Sequence, residues 1–171
     1  MPAINSWHDY FVMVGGGSAA LTGLIFVAMT LHLDEITTNP VHRHRARTIL
    51  MGLTAVFIRC GLVLMGDQSL WAVALELIGV LTVVEFLLYS SIRQAMRSAD
   101  RGVLLRTIGS FACLLLEEAG AIVVLFGHAW GLYVVGLGMM SSFIFMVTGA
   151  WLLLVGVGAV EVAGARSSAG R

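Results

Sequence analysis

The chain has 171 residues, of which 58% are hydrophobic and 12% are charged. Average soluble domains carry about 25% charged residues, so this composition favours lipid as the solvent and argues against a soluble domain. The formal net charge is zero. Nucleic acid is therefore not an expected partner, because no basic excess is present to neutralise phosphates.

Five apolar stretches follow one another along the chain, each close to the length of about 20 residues that a membrane helix needs. They cover residues 10–31, 46–65, 69–89, 104–126 and 130–157. The gaps are too short to fold into a soluble domain, and residues 158–171 form a short tail. The sequence therefore predicts an all-α fold, a polytopic transmembrane bundle of five spans that makes residues 1–171 a single membrane domain.

Arginine placement predicts the orientation of this bundle, because cytoplasmic loops hold an excess of basic residues. Lysine is absent, and the first loop, the third loop and the tail hold nine arginines: Arg43, Arg45, Arg47, Arg93, Arg97, Arg101, Arg106, Arg166 and Arg171. The segment before the first span and the second and fourth loops hold none. Aromatic residues that favour the interface cluster at the opposite ends of the spans: Trp7, Tyr10, Trp71, Trp130 and Tyr133. We predict an outside N-terminus and a cytoplasmic C-terminus.

The first span carries small residues at helical spacing, at Gly16, Ala20, Gly23 and Thr30. Helices in lipid associate where small side chains let their backbones approach closely. We therefore expect this face to be buried against protein. No charged n-region or cleavage-like site accompanies the stretch, so we expect a retained helix and not a signal peptide.

The second span has a legible start, with Asn39 as an expected N-cap and Pro40 at the first helical position. That start extends the helix into the cytoplasm through three arginines, Arg43, Arg45 and Arg47. We interpret them as a basic collar that contacts anionic lipid headgroups.

The second and third spans each hold one charge in a stripe of small residues, Arg59 and Glu76. The two positions lie symmetrically about the turn at residues 67–68, so an antiparallel hairpin places them at the same depth. Charges inside spans are usually paired. We therefore predict an intramembrane ion pair between Arg59 and Glu76, which either fixes helix register or acts in selectivity or gating.

Three further carboxylates lie within the spans. Glu85 is near the cytoplasmic edge, where it can reach water or a loop arginine, Arg47 or Arg93. Glu117 and Glu118 lie near the middle of the fourth span, where an ionised group costs roughly 2.5 to 3.5 kcal/mol on insertion scales. Glu117 shares the inward, small-residue face, and Glu118 points about 100° away onto an otherwise lipid-facing side. Both are candidates for an ion or proton pathway, with a neutral acid hydrogen-bonded inside one bundle as the alternative for Glu118.

The fifth span repeats small residues at intervals of seven, at Gly131 and Gly138 and again at Ser142, Gly149 and Gly156. This spacing favours left-handed packing against a neighbouring helix. We expect core packing here, and the lining of a narrow pore is the alternative.

Histidines invite a metal or haem interpretation. The spacing supports neither, and we predict no cofactor and no metal, with His8, Asp9 and His128 as the only candidates for an outer metal site. Intramembrane proteolysis is not indicated either, because the serines that follow glycine lack the G-x-S-x-G frame and a histidine partner at their depth.

The first half of the chain resembles a family of small bacterial integral membrane proteins without an established activity. The resemblance rests on Trp7, Phe11 and the run GGGSAALTGLIFVAMTL (residues 15–31), and continues loosely through residues 45–46, the turn at 66–68 and Glu76. Some members carry the label of modulator of a membrane-bound AAA protease. The resemblance implies a location in the bacterial inner membrane, and it brings no catalytic residues.

Two functions remain open. The first is a homo-oligomeric channel or transporter for protons or small ions, with Glu117 and Glu118 in the pathway. The second is an accessory subunit that binds a larger membrane complex through its glycine-rich faces. An enzyme is not expected.

Overall fold

The computed structural model of the protein describes residues 6–38, 40–66, 68–97 and 101–169. Side chains are described within these ranges except at 34–35, 40–42, 44, 90–97, 101–107 and 153–169. The expected cap at Asn39 and the side chains of the loop-three and tail arginines therefore lie outside the described residues.

The described chain is helical, with no strand. Its helices are α1 (His8–Leu31), α2 (Leu33–Thr38), α3 (Pro40–Val63), α4 (Leu70–Arg97), α5 (Arg101–Leu125) and α6 (Gly131–Ala169). All except the short α2 are long and apolar enough to span a membrane, which confirms the five predicted spans and indicates a membrane protein. The α3 helix begins at Pro40, as expected from the fit of proline to a first helical turn. The α6 helix continues past Val157, so most of the predicted tail is helical.

The spanning helices alternate in direction, so the bundle has two distinct ends. We call them the tryptophan end, which holds Trp7, Trp71 and Trp130, and the arginine end, which holds Arg43, Arg45 and Arg47. The α3 helix packs against four other helices, α1, α2, α4 and α6. The α5 helix packs between α4 and α6 and completes the bundle.

A central core joins all five spanning helices in the half of the bundle nearer the tryptophan end. Its buried members are Phe11, Val14, Val56, Cys60, Val63, Val73, Leu77, Ala121, Val135 and Met139. Among the described side chains, a second cluster toward the arginine end joins α1, α2, α3 and α6. The shared core therefore fixes the positions of all five helices at one level of the membrane.

Close contact between the backbones of α5 and α6 explains why two positions at this interface are glycine. A methyl group on Gly120 would lie 2.6 Å from the backbone nitrogen of Val135, and one on Gly131 would lie 2.7 Å from the carbonyl oxygen of Gly120. Only glycine fits such an approach. Gly131 and Gly138 of the predicted stripe therefore face α5, whereas Gly149 faces Ile49 of α3. The described part of the stripe is buried core, as expected, and not a pore lining.

The small-residue face of α1 differs from its prediction. Gly16, Ala20, Gly23 and Thr30 are exposed, and open space surrounds both glycines. The buried face of α1 is the neighbouring one, centred on Phe11, Val14, Gly15, Ser18, Ile25 and Met29. The prediction of a protein-covered face was wrong for the single chain because large side chains, Phe11 above all, fill the core on the neighbouring face.

Candidate functional site

An ion pair lies in the centre of the bundle, between Arg59 of α3 and Glu117 of α5. The Arg59 Nη1 atom donates to Glu117 Oε1, and the two side chains are 1% and 0% exposed. The Arg59 Nε atom also donates to the carbonyl oxygen of Ala55, 3.1 Å away. This second bond holds the guanidinium against the α3 backbone while Nη1 meets Glu117.

The predicted pair between Arg59 and Glu76 was wrong in its acidic partner. Hairpin symmetry gives the depth of Glu76 but not its direction around α4, whose inward face is formed by Val73, Leu77 and Leu81. Glu76 lies on a flank of α4, where both of its carboxylate oxygens accept from Gln68 Nε2 at 3.0 Å. Arg59 points inward and meets Glu117 instead.

The surroundings of Glu117 combine close packing with polar groups. A methyl group on Gly138 of α6 would lie 2.9 Å from the Glu117 backbone nitrogen and Cβ, so glycine is what lets α6 pass the carboxylate. Tyr10, Cys60 and Cys113 each interact electrostatically with Glu117. Of its two oxygens, Oε2 is buried and has no hydrogen-bond partner among the described residues.

The Tyr10 hydroxyl closes the core at the tryptophan end. It donates to the carbonyl oxygen of Gly136 at 2.7 Å and thereby joins α1 to α6. Trp7 packs edge-on against both Tyr10 and Tyr133, with ring centroids 5.4 Å and 4.7 Å apart. These rings cover the outer side of the Arg59–Glu117 pair.

A second pair of acids lies between α4 and α5. Glu118 of α5 is partly exposed, and it interacts electrostatically with Glu85 of α4. Glu85 follows Leu81 by one turn, so it continues the inward face of α4 toward the arginine end. Its Oε1 atom is buried and accepts no hydrogen bond from the described residues. We call Glu85 and Glu118 the seam carboxylates.

The two sets of charges differ in chemistry. Arg59 and Glu117 neutralise each other inside a packed core, as buried charges must. The seam carboxylates carry the same sign, and like charges in lipid repel strongly unless a proton or a cation is shared. Two nearby acids therefore favour a shared proton or cation between them, whereas the Arg59–Glu117 charges are already balanced.

The sequence placed Glu85 near water or a loop arginine, and the side chain of one of those arginines, Arg93, lies outside the described residues. The structure adds an electrostatic interaction of Glu85 with Glu118. The sequence also indicates that Glu85 lies on the inward side of α4, since it continues the series Leu77 and Leu81 at intervals of four. The sequence placed Glu117 correctly on the inward face of its helix, and the structure shows that its side chain is fully buried.

The remaining predicted residues lie apart from these charges. Arg43 and Arg47 are exposed and Arg45 is partly exposed, all at the start of α3. His8 and Asp9 are exposed side by side, 3.3 Å apart, and His128 is exposed in the turn before α6. Within the described residues, no three His, Cys, Asp or Glu side chains converge on one point.

Comparisons with family models, with curated proteins and with solved structures found no match to this chain. Its class is therefore defined by the fold and the buried charges alone. It has five helices able to span a membrane, an Arg–Glu pair in the core and a pair of carboxylates at the α4–α5 contact.

Proposed function

We propose that this protein is a subunit of a homo-oligomeric channel or transporter that moves protons or small cations, and that the seam carboxylates are the groups that carry them. The single observation behind the proposal is that Glu118 is a partly exposed carboxylate near the middle of α5, close enough to Glu85 of the adjacent α4 to interact with it electrostatically. A carboxylate costs free energy in lipid and is a functional candidate by default. Two of them together make a stronger case.

The interior pair has a different role in this proposal. Glu117 was a pathway candidate together with Glu118, but its full burial and its bond to Arg59 favour a structural role. The proposed pathway therefore runs along Glu85 and Glu118 at the α4–α5 contact, where a neighbouring subunit would shield the partly exposed Glu118 from lipid.

The same proposal includes location and orientation. Arginine placement supports a cytoplasmic arginine end and an outside tryptophan end. The resemblance of residues 15–31 to small bacterial membrane proteins supports the inner membrane. The exposed collar of Arg43 and Arg47 would then meet anionic headgroups on the cytoplasmic side.

The test is cation flux into proteoliposomes that contain the purified protein. We expect proton or potassium flux with wild type, loss of flux with Glu118→Gln and reduced flux with Glu85→Gln. The matched control is Glu76→Gln, which removes a carboxylate from the same membrane region but outside the seam, and which should leave flux unchanged. Absence of flux in the wild type, or wild-type flux in Glu118→Gln, would refute the proposal.

One observation favours a second function, that of an accessory subunit bound to another membrane protein. The α1 helix leaves Gly16, Ala20 and Gly23 exposed at the spacing that lets two helices approach closely. The mass of the complex extracted from its native membrane separates the two functions. A multiple of the chain mass supports the homo-oligomer, and additional mass that disappears with Gly16→Leu and Gly23→Leu supports the accessory subunit. Gly61→Leu, at another glycine with open space around it, is the control.

A further inference from the structure

Among the described residues, four buried side-chain oxygens have no hydrogen-bond partner, and two of them belong to side chains that are themselves buried. These two are Oε2 of Glu117 and the hydroxyl oxygen of Ser142 on α6. Their side chains are 0% and 4% exposed. Buried polar atoms in native proteins nearly always have a partner, which is ordered water where no protein group is available.

The register of α5 against α6 brings Glu117 and Ser142 to neighbouring levels of the bundle. Gly138 lies directly against Glu117, since a methyl group on Gly138 would lie 2.9 Å from the Glu117 Cβ, and Ser142 follows Gly138 by one turn. Side chains of a helix lean toward its N-terminus. Because α5 and α6 are antiparallel, Glu117 leans toward the level of Ser142, and Ser142 leans toward the level of Gly138. The carboxylate and the hydroxyl therefore converge.

We propose that the bundle interior has a water-binding site between Glu117 and Ser142. The water donates one hydrogen bond to Glu117 Oε2 and accepts one from the Ser142 hydroxyl, so both buried atoms are satisfied. This inference is independent of the proposed transport function.

The charges at the site select water over an ion. Arg59 already neutralises Glu117, so a bound cation would leave a net positive charge in the core and would face the guanidinium. A bound anion would face the Glu117 carboxylate. A small neutral molecule that both donates and accepts fits this setting, and water is the smallest.

The chain offers a matched control in Ser18 of α1. This serine is equally buried, at 0% exposed, but its hydroxyl donates to the carbonyl oxygen of Gly15 at 2.8 Å. Its hydrogen bond is already made within the helix. We therefore expect water beside Ser142 and none beside Ser18.

Water-edited solid-state NMR of the full chain in lipid bilayers tests the site. We expect magnetisation from water to reach the Glu117 carboxyl carbon and Ser142 Cβ faster than Ser18 Cβ and the core methyl of Ala121. In Ser142→Ala the transfer to the Glu117 carboxyl should slow, while Ser18→Ala should leave it unchanged.

The wild-type measurement alone can overturn the proposal, so it does not depend on the folding of a variant. If transfer to the Glu117 carboxyl and to Ser142 is as slow as transfer to Ser18, the site is dry. A direct hydrogen bond between the two side chains would then be the explanation. Equal transfer to Glu117 in wild type and Ser142→Ala would also overturn it, because the serine would not hold the water.

Discussion

Arg59 and Glu117 join α3 to α5 through an ion pair that is closed off from both membrane surfaces. Removing one partner of such a pair leaves an uncompensated charge in the core, which costs about 3 to 5 kcal/mol. We predict that Arg59→Leu destabilises the protein by this amount. The effect is measured by heating the protein in detergent and monitoring the loss of monodisperse protein.

The control for this prediction separates the true partner from the one inferred from hairpin symmetry. Adding Glu117→Gln to Arg59→Leu should restore much of the lost stability, because no charge then remains unpaired. Adding Glu76→Gln should restore none, since Glu76 is bound to Gln68. Rescue by Glu76→Gln in place of Glu117→Gln would contradict the pairing.

The close approach of α5 and α6 predicts opposite effects of the same substitution at two glycines. Gly120→Ala adds a methyl group 2.6 Å from a backbone nitrogen of α6, and overpacking of this kind costs about 1 to 3 kcal/mol. Gly79→Ala adds the methyl group in open space, and alanine has a higher helix propensity than glycine. We expect a lower melting temperature for Gly120→Ala and an equal or higher one for Gly79→Ala. Similar losses at both positions would show that α5 and α6 are not in backbone contact.

The Tyr10 hydroxyl predicts a smaller effect at the tryptophan end. Tyr10→Phe removes the hydrogen bond to Gly136 and should cost about 0.5 to 1.5 kcal/mol. Tyr133→Phe is the control, because that ring is 69% exposed and packs edge-on against Trp7 as before. The two variants are compared by the same unfolding assay, and an effect of Tyr133→Phe as large as that of Tyr10→Phe would contradict the prediction.

Arginine placement predicts the membrane topology, which reporter fusions measure in bacteria. A fluorescent protein fused after Arg171 should fluoresce and an alkaline phosphatase fused there should be inactive, because the C-terminus is expected in the cytoplasm. The matched fusion sites lie in the fourth loop near His128, where the phosphatase should be active. Active phosphatase at the C-terminus would reverse the proposed orientation.

The sequence predicted the spans well because hydropathy and length are local properties, and a bilayer imposes the same length on each helix. The side of a helix that faces the core was also predictable where small residues lie on one side and large residues on the other, as at Glu117. The ion-pair partner of Arg59 was not predictable from the sequence. Hairpin symmetry places Glu76 at the depth of Arg59 but does not give its direction around α4, and the guanidinium pairs instead with Glu117 on α5.

The exposed face of α1 shows a second limit of sequence reasoning. Small residues mark a surface that can pack closely, but they do not say which helix packs there. In a single chain, Phe11 and Val14 fill the core and turn Gly16 and Gly23 outward. The same pattern can therefore mark a contact within the chain or one between chains.

The Arg59–Glu117 pair also has a consequence for biogenesis. Glu117 is translated 58 residues after Arg59. At synthesis rates of roughly 5 to 20 residues per second, the α3 helix waits about 3 to 12 s for the acid that neutralises it. During that interval a lone guanidinium cannot rest in hydrocarbon, so the insertion machinery or the headgroup region has to hold the nascent helix until α5 arrives. Stable integration of the first three spans, α1, α3 and α4, is therefore coupled to synthesis of the fourth span, α5.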